Sequence, residues 1–151
     1  MIRKGLNLII LGPTGAGKTY IACALGRATY EQDLINRYFR LPRFFQDLII
    51  AQLEGTYINL IRSLHRTHLL ILDDWLHDIP SLVETQFLLD ILDDRYNLMA
   101  TLLVSQFPHA VWHDRIPEVV ILDCLVHNAH RIELIGESHR KNRAQHTMSS
   151  T

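Results

Sequence analysis

Apolar and polar positions along the chain form two alternating kinds of segment. Short continuous apolar runs, each ending in glycine or polar residues, are typical of strands buried on both faces of a parallel sheet. Such runs occupy residues 6–11, 68–72 and 100–104, and further strands are predicted at 36–41 and 131–135. Longer segments with helical spacing lie between them. Strands that alternate with helices predict an α/β fold, a parallel five-stranded sheet with helices on both faces.

The helical segments carry recognisable terminal signals. Ser81 is followed three residues later by Glu84, the spacing of a capping box, and predicts a helix that runs to about Arg95. Pro42 suits the first turn of another helix. Helices are predicted at residues 19–30, 42–53, 56–65, 82–95 and 118–128, with a short helical piece between Pro108 and Pro117.

Composition narrows the class of protein. The chain has 151 residues, 48% of them apolar, which suffices for one domain with a core. We predict a core domain over residues 1–136 and a basic, flexible tail over 137–151. With a net charge of −1 the chain as a whole is not basic, so binding to DNA would need a local basic patch or an assembly of several chains. Cys23 and Cys124 lack metal-ligand spacing, and no apolar run reaches membrane-span length, which predicts a cytoplasmic protein with reduced thiols.

One motif lies between the first predicted strand and the first predicted helix, and it fits the phosphate-loop pattern G-x-x-x-x-G-K-[ST] in full. Small residues let successive backbone N–H groups surround phosphate oxygens, and the helix N-terminus attracts the same anion. Lys18 can reach the β- and γ-phosphates, as a binding and a catalytic group, and the Thr19 hydroxyl can ligate magnesium. We therefore predict ATP and Mg²⁺ as cofactors. The nucleotide-binding candidates are Gly12, Pro13, Thr14, Gly15, Ala16, Gly17, Lys18, Thr19 and Tyr20.

A second candidate site is the acidic end of the strand predicted at 68–72. Ligands of parallel sheets bind at the carboxyl ends of strands, where Asp73 would face the magnesium. Asp74 would orient or deprotonate the attacking water. An aspartate pair that only caps a strand is the alternative, but the phosphate loop beside it favours an NTPase. A kinase of the same superfamily remains open, because acidic pairs occur there too.

A resemblance to a known family rests on several segments. They are GPTGAGKTYIACALG (12–26), YFRLPRF (38–44), LLILDDW (69–75), LLDILDDRY (88–96), SQFPHAVWHD (105–114), ILDCLVHNAHRIEL (121–134) and GESHRK (136–141). In these segments the chain resembles the IstB-like helper ATPases of bacterial transposons, relatives of DnaC-type helicase loaders within the AAA+ class of P-loop NTPases. The resemblance implies a three-layer αβα sandwich with strand order 5-1-4-3-2. It also implies ATP-dependent self-assembly into a homo-oligomer, binding of duplex DNA by the assembly, and a transposase as partner.

The resemblance also assigns a sensor position after the strand at 100–104. Ser105 or Gln106 would contact the γ-phosphate or the attacking water as a catalytic residue. An ordinary polar strand end is an equally good interpretation of these two residues.

The chain departs from the family pattern in three places. Family members carry an extra segment ahead of the phosphate loop, so the resemblance predicts an N-terminally truncated copy. The stretch 116–123 is shorter than in the family. Cys124 stands where the family has an arginine that resembles a finger reaching the neighbouring subunit's ATP. A finger is worth roughly 10³ to 10⁵ in rate, so we expect ATP hydrolysis to be weak.

Three functions follow from these observations. The leading one is an ATP-binding helper of a bacterial insertion sequence that binds DNA and regulates its transposase. A DnaC-like helicase loader is the alternative within the same class of enzyme. A non-catalytic remnant that acts as a nucleotide-binding module is the alternative outside it.

Three arginines lie near the second predicted strand. They indicate either a patch that faces DNA or a sheet edge exposed to solvent, and they are Arg37, Arg40 and Arg43.

Overall fold

The computed structural model describes residues 7–95, 98–116 and 129–135. Helices and strands alternate through most of this part of the chain. In chain order they are β1 (Asn7–Leu11), α1 (Lys18–Glu31), β2 (Asn36–Arg40), α2 (Leu41–Glu54), α3 (Tyr57–His65), β3 (Leu69–Asp73), α4 (Leu82–Leu92), β4 (Ala100–Ser105), a 3₁₀ turn (His109–Val111), α5 (Trp112–Arg115) and β5 (Ala129–Glu133). In the described part of the chain, no helix has the length and apolar character to cross a membrane.

The five strands form one parallel sheet in the order β2-β3-β4-β1-β5. This is the order 5-1-4-3-2 that the resemblance implied, and it confirms the predicted fold class. β1 lies between β4 and β5, and β3 lies between β2 and β4. Every strand therefore points its carboxyl end to the same edge of the sheet, where the candidate site residues lie.

Apolar side chains cover both faces of the sheet, which explains the continuous apolar runs of β1, β3 and β4. Alternate residues of these strands point to opposite faces. One face packs against α2, α3, α4 and the tryptophan of α5, while the other packs against α1. The residues of β1, β3 and β4 are all buried. The two apolar layers hold the sheet edge rigidly beneath the site.

The helix start predicted at Ser81 is confirmed, whereas the ends of other elements differ from the prediction. The capping box forms, because the Ser81 hydroxyl accepts a hydrogen bond from the Glu84 N–H and the Glu84 carboxylate accepts one from the Ser81 N–H. The helix ends at Leu92 and not near Arg95. β5 begins at Ala129, two residues before the predicted start, because its pairing with β1 runs from Asn7↔Ala129 to Leu11↔Glu133. The helix predicted at 118–128 lies outside the described residues.

The early end of α4 is explained by the side chain of Arg95, which turns into the protein and is 1% exposed. Its guanidinium donates hydrogen bonds to the carbonyls of Leu64, Thr67 and Ala100 and to the hydroxyl of Thr101. These partners belong to the end of α3, the turn after it and the start of β4. Burial lowers the pKa of Arg95 to about 10, so the group remains charged at neutral pH. Arg95 thus connects three segments near the start of β4.

Candidate functional site

The phosphate-loop residues lie between β1 and α1, as the sequence predicted. Gly15 and Gly17 have φ values of 86° and 92°, a left-handed conformation that residues with a Cβ rarely adopt. Gly17 is the N-cap of α1 and provides no side-chain hydrogen bond to the helix. The first N–H groups of a helix have no partner within it. The N-terminus of α1 therefore offers backbone donors and a positive dipole end to an anion.

The Lys18 side chain folds back over the loop. Its ammonium group donates hydrogen bonds to the carbonyl oxygens of Gly12 at 2.5 Å and Pro13 at 2.9 Å. Burial lowers the pKa of Lys18, and the carboxylates of Asp73 and Asp74 oppose that shift. The ammonium group is thus held at the mouth of the loop, within the field of both aspartates, where a triphosphate would compete for it.

Thr19 and Asp73 meet across the sheet edge. The Thr19 hydroxyl donates to Asp73 Oδ2 at 3.1 Å, and the Asp74 N–H donates to Asp73 Oδ1 at 2.8 Å. The hydroxyl of Tyr38, from β2, donates to the same Oδ2 atom. Burial, and then the hydrogen bond to Asp73, raises the pKa of Tyr38 above its ordinary value, so this hydroxyl remains a donor. The structure therefore brings the two predicted magnesium residues together and adds Tyr38 to them.

The oxygen donors at this point suit magnesium. Magnesium usually keeps several waters and is held by one or two carboxylates together with substrate phosphates. Among the described residues, no group of three or more His, Cys, Asp or Glu side chains could hold a metal ion on its own. A hydroxyl and a carboxylate beside a phosphate loop are the donor set that a magnesium–nucleotide complex needs.

Asp74 is paired with a residue that sequence reasoning did not assign to the site. Arg40 donates to Asp74 Oδ2 from Nε at 3.0 Å and from a terminal nitrogen at 2.7 Å. The Asp74 carboxylate raises the pKa of Arg40. Arg37, which was grouped with Arg40 as a possible DNA-facing patch, bonds to Ser63 and lies over the Phe39 ring. Two of the three arginines are therefore engaged with the protein itself.

The turn after β3 is held in an uncommon backbone conformation. Asp74 and Leu76 have φ values of 56° and 57°, which cost roughly 1–3 kcal/mol each in non-glycine residues. β4 holds this turn, because the Trp75 N–H donates to the Val104 carbonyl at 2.8 Å. The Arg115 guanidinium, from α5, donates to the carbonyl of Leu76 at 2.7 Å. The strained turn thus fixes Asp74 at the pocket.

The two sensor candidates occupy different environments. Ser105 is buried; its hydroxyl donates to the Trp75 carbonyl at 2.9 Å and accepts from the Phe107 N–H at 3.1 Å. Gln106 reaches the phosphate loop, where its side-chain oxygen accepts a hydrogen bond from the Thr14 hydroxyl at 3.0 Å. Its amide nitrogen lies 3.4 Å from His77 Nδ1. Gln106 therefore has the access that a sensor needs, and Ser105 supports the turn after β3.

The loop, the acidic strand end and the end of β4 enclose a pocket of about 370 Å³. Most of the predicted nucleotide-binding residues line it, including Tyr20, whose side chain is 79% exposed. Sequence reasoning missed Trp75 and His77 as lining residues. The pocket is lined by Thr14, Gly15, Gly17, Lys18, Thr19, Tyr20, Asp73, Asp74, Trp75, His77, Val104 and Gln106. Cys124 and the tail at 137–151 lie outside the described residues.

A phosphate loop at a helix N-terminus, facing an acidic strand end across a pocket, defines a P-loop nucleotide-binding domain. Comparison with known proteins gives the particular family. The chain matches the family described as "IstB-like ATP binding protein" over residues 1–147. It therefore belongs to the IstB-like ATP-binding proteins.

The curated relatives belong to insertion sequences. The chain is 46% identical over 140 residues to the insertion sequence ATP-binding protein y4pL of Sinorhizobium fredii, covering 90% of this chain and 57% of that protein. It is 44% identical over 147 residues to y4uH of the same organism, covering 94% and 59%. It is 40% identical over 109 residues to the ATP-binding protein of insertion sequence IS1162 from Pseudomonas fluorescens, covering 71% and 46%. The chain spans less than two thirds of the length of these relatives.

Solved structures share the fold at lower identity. The DnaC helicase loader has a TM-score of 0.81 at 21% identity, over 89% of this chain and 81% of that one. The replication initiator DnaA bound to AMPPCP and single-stranded DNA has a TM-score of 0.80 at 18% identity, over 99% and 47%. At these identities the likeness establishes the fold, an αβα sandwich of the AAA+ P-loop class, as the resemblance implied.

Proposed function

We propose that this chain is the ATP-binding core of an insertion-sequence helper protein, which binds ATP with magnesium and assists transposition. The observation that carries the proposal is the contact of 3.1 Å between the Thr19 hydroxyl and the Asp73 carboxylate, beside Lys18 at the N-terminus of α1. Lys18 and the loop N–H groups would bind the phosphates. Thr19 and Asp73 would hold magnesium, which neutralises charge on the phosphates.

Calorimetric titration of the whole chain with ATP and Mg²⁺ tests the binding step. Lys18→Ala should abolish detectable binding or weaken it by at least tenfold, because it removes the cation that faces the triphosphate. Arg27→Ala is the matched control, since Arg27 lies on the same helix with its side chain 83% exposed and pairs only weakly with Glu31. Equal binding by the Lys18→Ala variant and the unmodified chain would refute the proposed site.

Hydrolysis is proposed to be slow in this chain. Asp74 lines the pocket and would orient the attacking water, and Gln106, which accepts a hydrogen bond from Thr14 of the loop, lines the same pocket. Cys124 replaces the arginine of the family pattern and cannot supply a bidentate cation to a neighbouring subunit's ATP. Cys124→Arg should therefore raise steady-state phosphate release, and Asp74→Asn should lower it. Turnover by the unmodified chain equal to that of the Cys124→Arg variant would contradict this part of the proposal.

DNA and transposase are the proposed macromolecular partners, through an ATP-dependent homo-oligomer. The names of the curated relatives support the insertion-sequence role. ATP should promote both assembly and retention of duplex DNA, measured together by sedimentation with labelled DNA. A transposase encoded beside the gene should then be retained by the complex. Recovery of a replicative helicase in its place would support the loader alternative, and ATP binding without assembly or DNA retention would support the nucleotide-binding remnant.

A further inference from the structure

The edge strand β2 contributes a hydroxyl to the predicted magnesium site. Tyr38 donates a hydrogen bond to Oδ2 of Asp73, the same oxygen atom that the Thr19 hydroxyl contacts at 3.1 Å. Asp73 is 5% exposed, and its other oxygen accepts from the Asp74 N–H. Three donors from three segments therefore fix the orientation of one carboxylate.

The sheet register explains how the hydroxyl of Tyr38 reaches Asp73. Tyr38 lies opposite Ile71 in the parallel pair, and Asp73 is two residues further along β3, on the same face of the sheet. Two residues of strand span about 6.6 Å, which is close to the reach of a phenol from Cα to its oxygen. The ring leans along the strand and its hydroxyl ends at the carboxylate. A phenylalanine would keep the ring and lack only the hydroxyl that makes this contact.

The Thr19 hydroxyl has two tasks at a magnesium site. It can present its oxygen lone pair to the metal only while its hydrogen points away, toward an acceptor. The acceptor here is Asp73 Oδ2. If the carboxylate were free to rotate, both the hydroxyl and the oxygen that faces the metal's water would lose their orientation. The Tyr38 hydroxyl, from β2, opposes that rotation because it donates to Asp73 Oδ2, the oxygen that accepts from Thr19.

We propose that Tyr38 is a positioning residue for magnesium, which fixes the Asp73 carboxylate and so sets the affinity of the ATP complex for the metal. The inference rests on the proposed function and extends its site to β2. Partners behind metal ligands typically change metal affinity by 10- to 100-fold when they are removed. A hydrogen bond that served only the sheet edge would instead change the stability of the chain and leave its response to magnesium unaltered.

The test measures ATP affinity of the whole chain by calorimetry across a range of Mg²⁺ concentrations and in EDTA. Tyr38→Phe should raise the Mg²⁺ concentration that gives half of the full increase in ATP affinity by roughly tenfold or more. ATP affinity in EDTA should stay within about twofold, because the phosphate loop is untouched. Tyr30→Phe is the matched control, since Tyr30 is an exposed tyrosine on α1 outside the residues that line the pocket.

A double variant separates positioning from general damage. In a Thr19→Ala background the metal ligand is gone, so Tyr38→Phe should produce little further change in the Mg²⁺ response. Full additivity of the two changes, or a Tyr38→Phe variant with the Mg²⁺ response of the unmodified chain, would overturn the inference alone. Equal losses of ATP affinity with and without Mg²⁺ would also overturn it. Failure of the unmodified chain to bind ATP in any condition would overturn the proposed function and this inference with it.

Discussion

Replacing Arg95, a buried residue outside the apolar clusters, should produce a large loss of stability. The guanidinium donates to three backbone carbonyls and one hydroxyl, at 2.6 Å for Leu64 and 2.7 Å for Thr67, in a fully buried position. Arg95→Met would fill most of the volume but would remove the guanidinium donor from all four acceptors, of which the Leu64 carbonyl would keep the N–H of Thr67 at 3.1 Å. Each unsatisfied buried acceptor costs about 1–3 kcal/mol.

The sum of these costs is offset in part, because the substitution also removes the desolvation cost of a buried charge. We therefore expect a net loss of roughly 3–5 kcal/mol in the free energy of unfolding, out of a typical total of 5–15 kcal/mol. For a chain of this size that corresponds to a fall of roughly 6–20 °C in Tm. Arg95→Lys should recover only part of the loss, because an ammonium group cannot reproduce the planar fork of donors.

Urea denaturation followed by circular dichroism measures this change, and Arg27→Met provides the control. Arg27 is largely exposed and lies on α1, so its replacement should alter stability by less than about 0.5 kcal/mol. A loss below about 1 kcal/mol for Arg95→Met would mean that the carbonyls find other donors or water. The assignment of Arg95 as the tie between α3, the turn after it and β4 would then be wrong.

Three further predictions concern the site and its supports. Arg40→Gln should raise ATP turnover by roughly two- to fivefold, because it releases Asp74 from an ion pair of modest strength; unchanged or lower turnover in a phosphate-release assay would contradict this. Gln106→Ala should lower ATP turnover with little change in Tm. Ser105→Ala should instead lower the free energy of unfolding by about 1–3 kcal/mol, measured by thermal unfolding. The opposite result for the two variants would mean that their assigned roles are exchanged. Ser81→Ala should cost roughly 0.5–2 kcal/mol by removing the N-cap of α4, and a neutral result in urea would show that the capping box is dispensable.

The strands could be predicted where the sheet is covered on both faces. Burial on both sides gives β1, β3 and β4 their continuous apolar runs, so their positions follow from the sequence alone. The edge strand β5 is mostly exposed, and its start is set by pairing with β1, which local sequence does not encode. The end of α4 depends on where the Arg95 side chain finds its acceptors, which is equally a matter of tertiary contacts.

Part of the site could be predicted from the phosphate-loop motif and from the rule that ligands bind at the carboxyl ends of parallel strands. Lys18, Thr19 and Asp73 belong to that part. The strand order implied by the resemblance already made β2 the neighbour of β3, but the contacts of Tyr38 and Arg40 with the two aspartates depend on the register between these strands. His77 reaches the pocket through a left-handed turn of non-glycine residues, and no sequence pattern marks such a turn.

The position of β4 between β1 and β3 has a consequence for the newly synthesised chain. The strands that carry the phosphate loop and the acidic pair do not touch each other, so the two halves of the site are separated until β4 enters the sheet. A ribosome-bound chain that ends before residue 100 should therefore not bind nucleotide, although the phosphate loop and both aspartates have already been made. Once β4 has been inserted, the nucleotide should act as a ligand of the folded state alone and retard unfolding of the sheet at its centre.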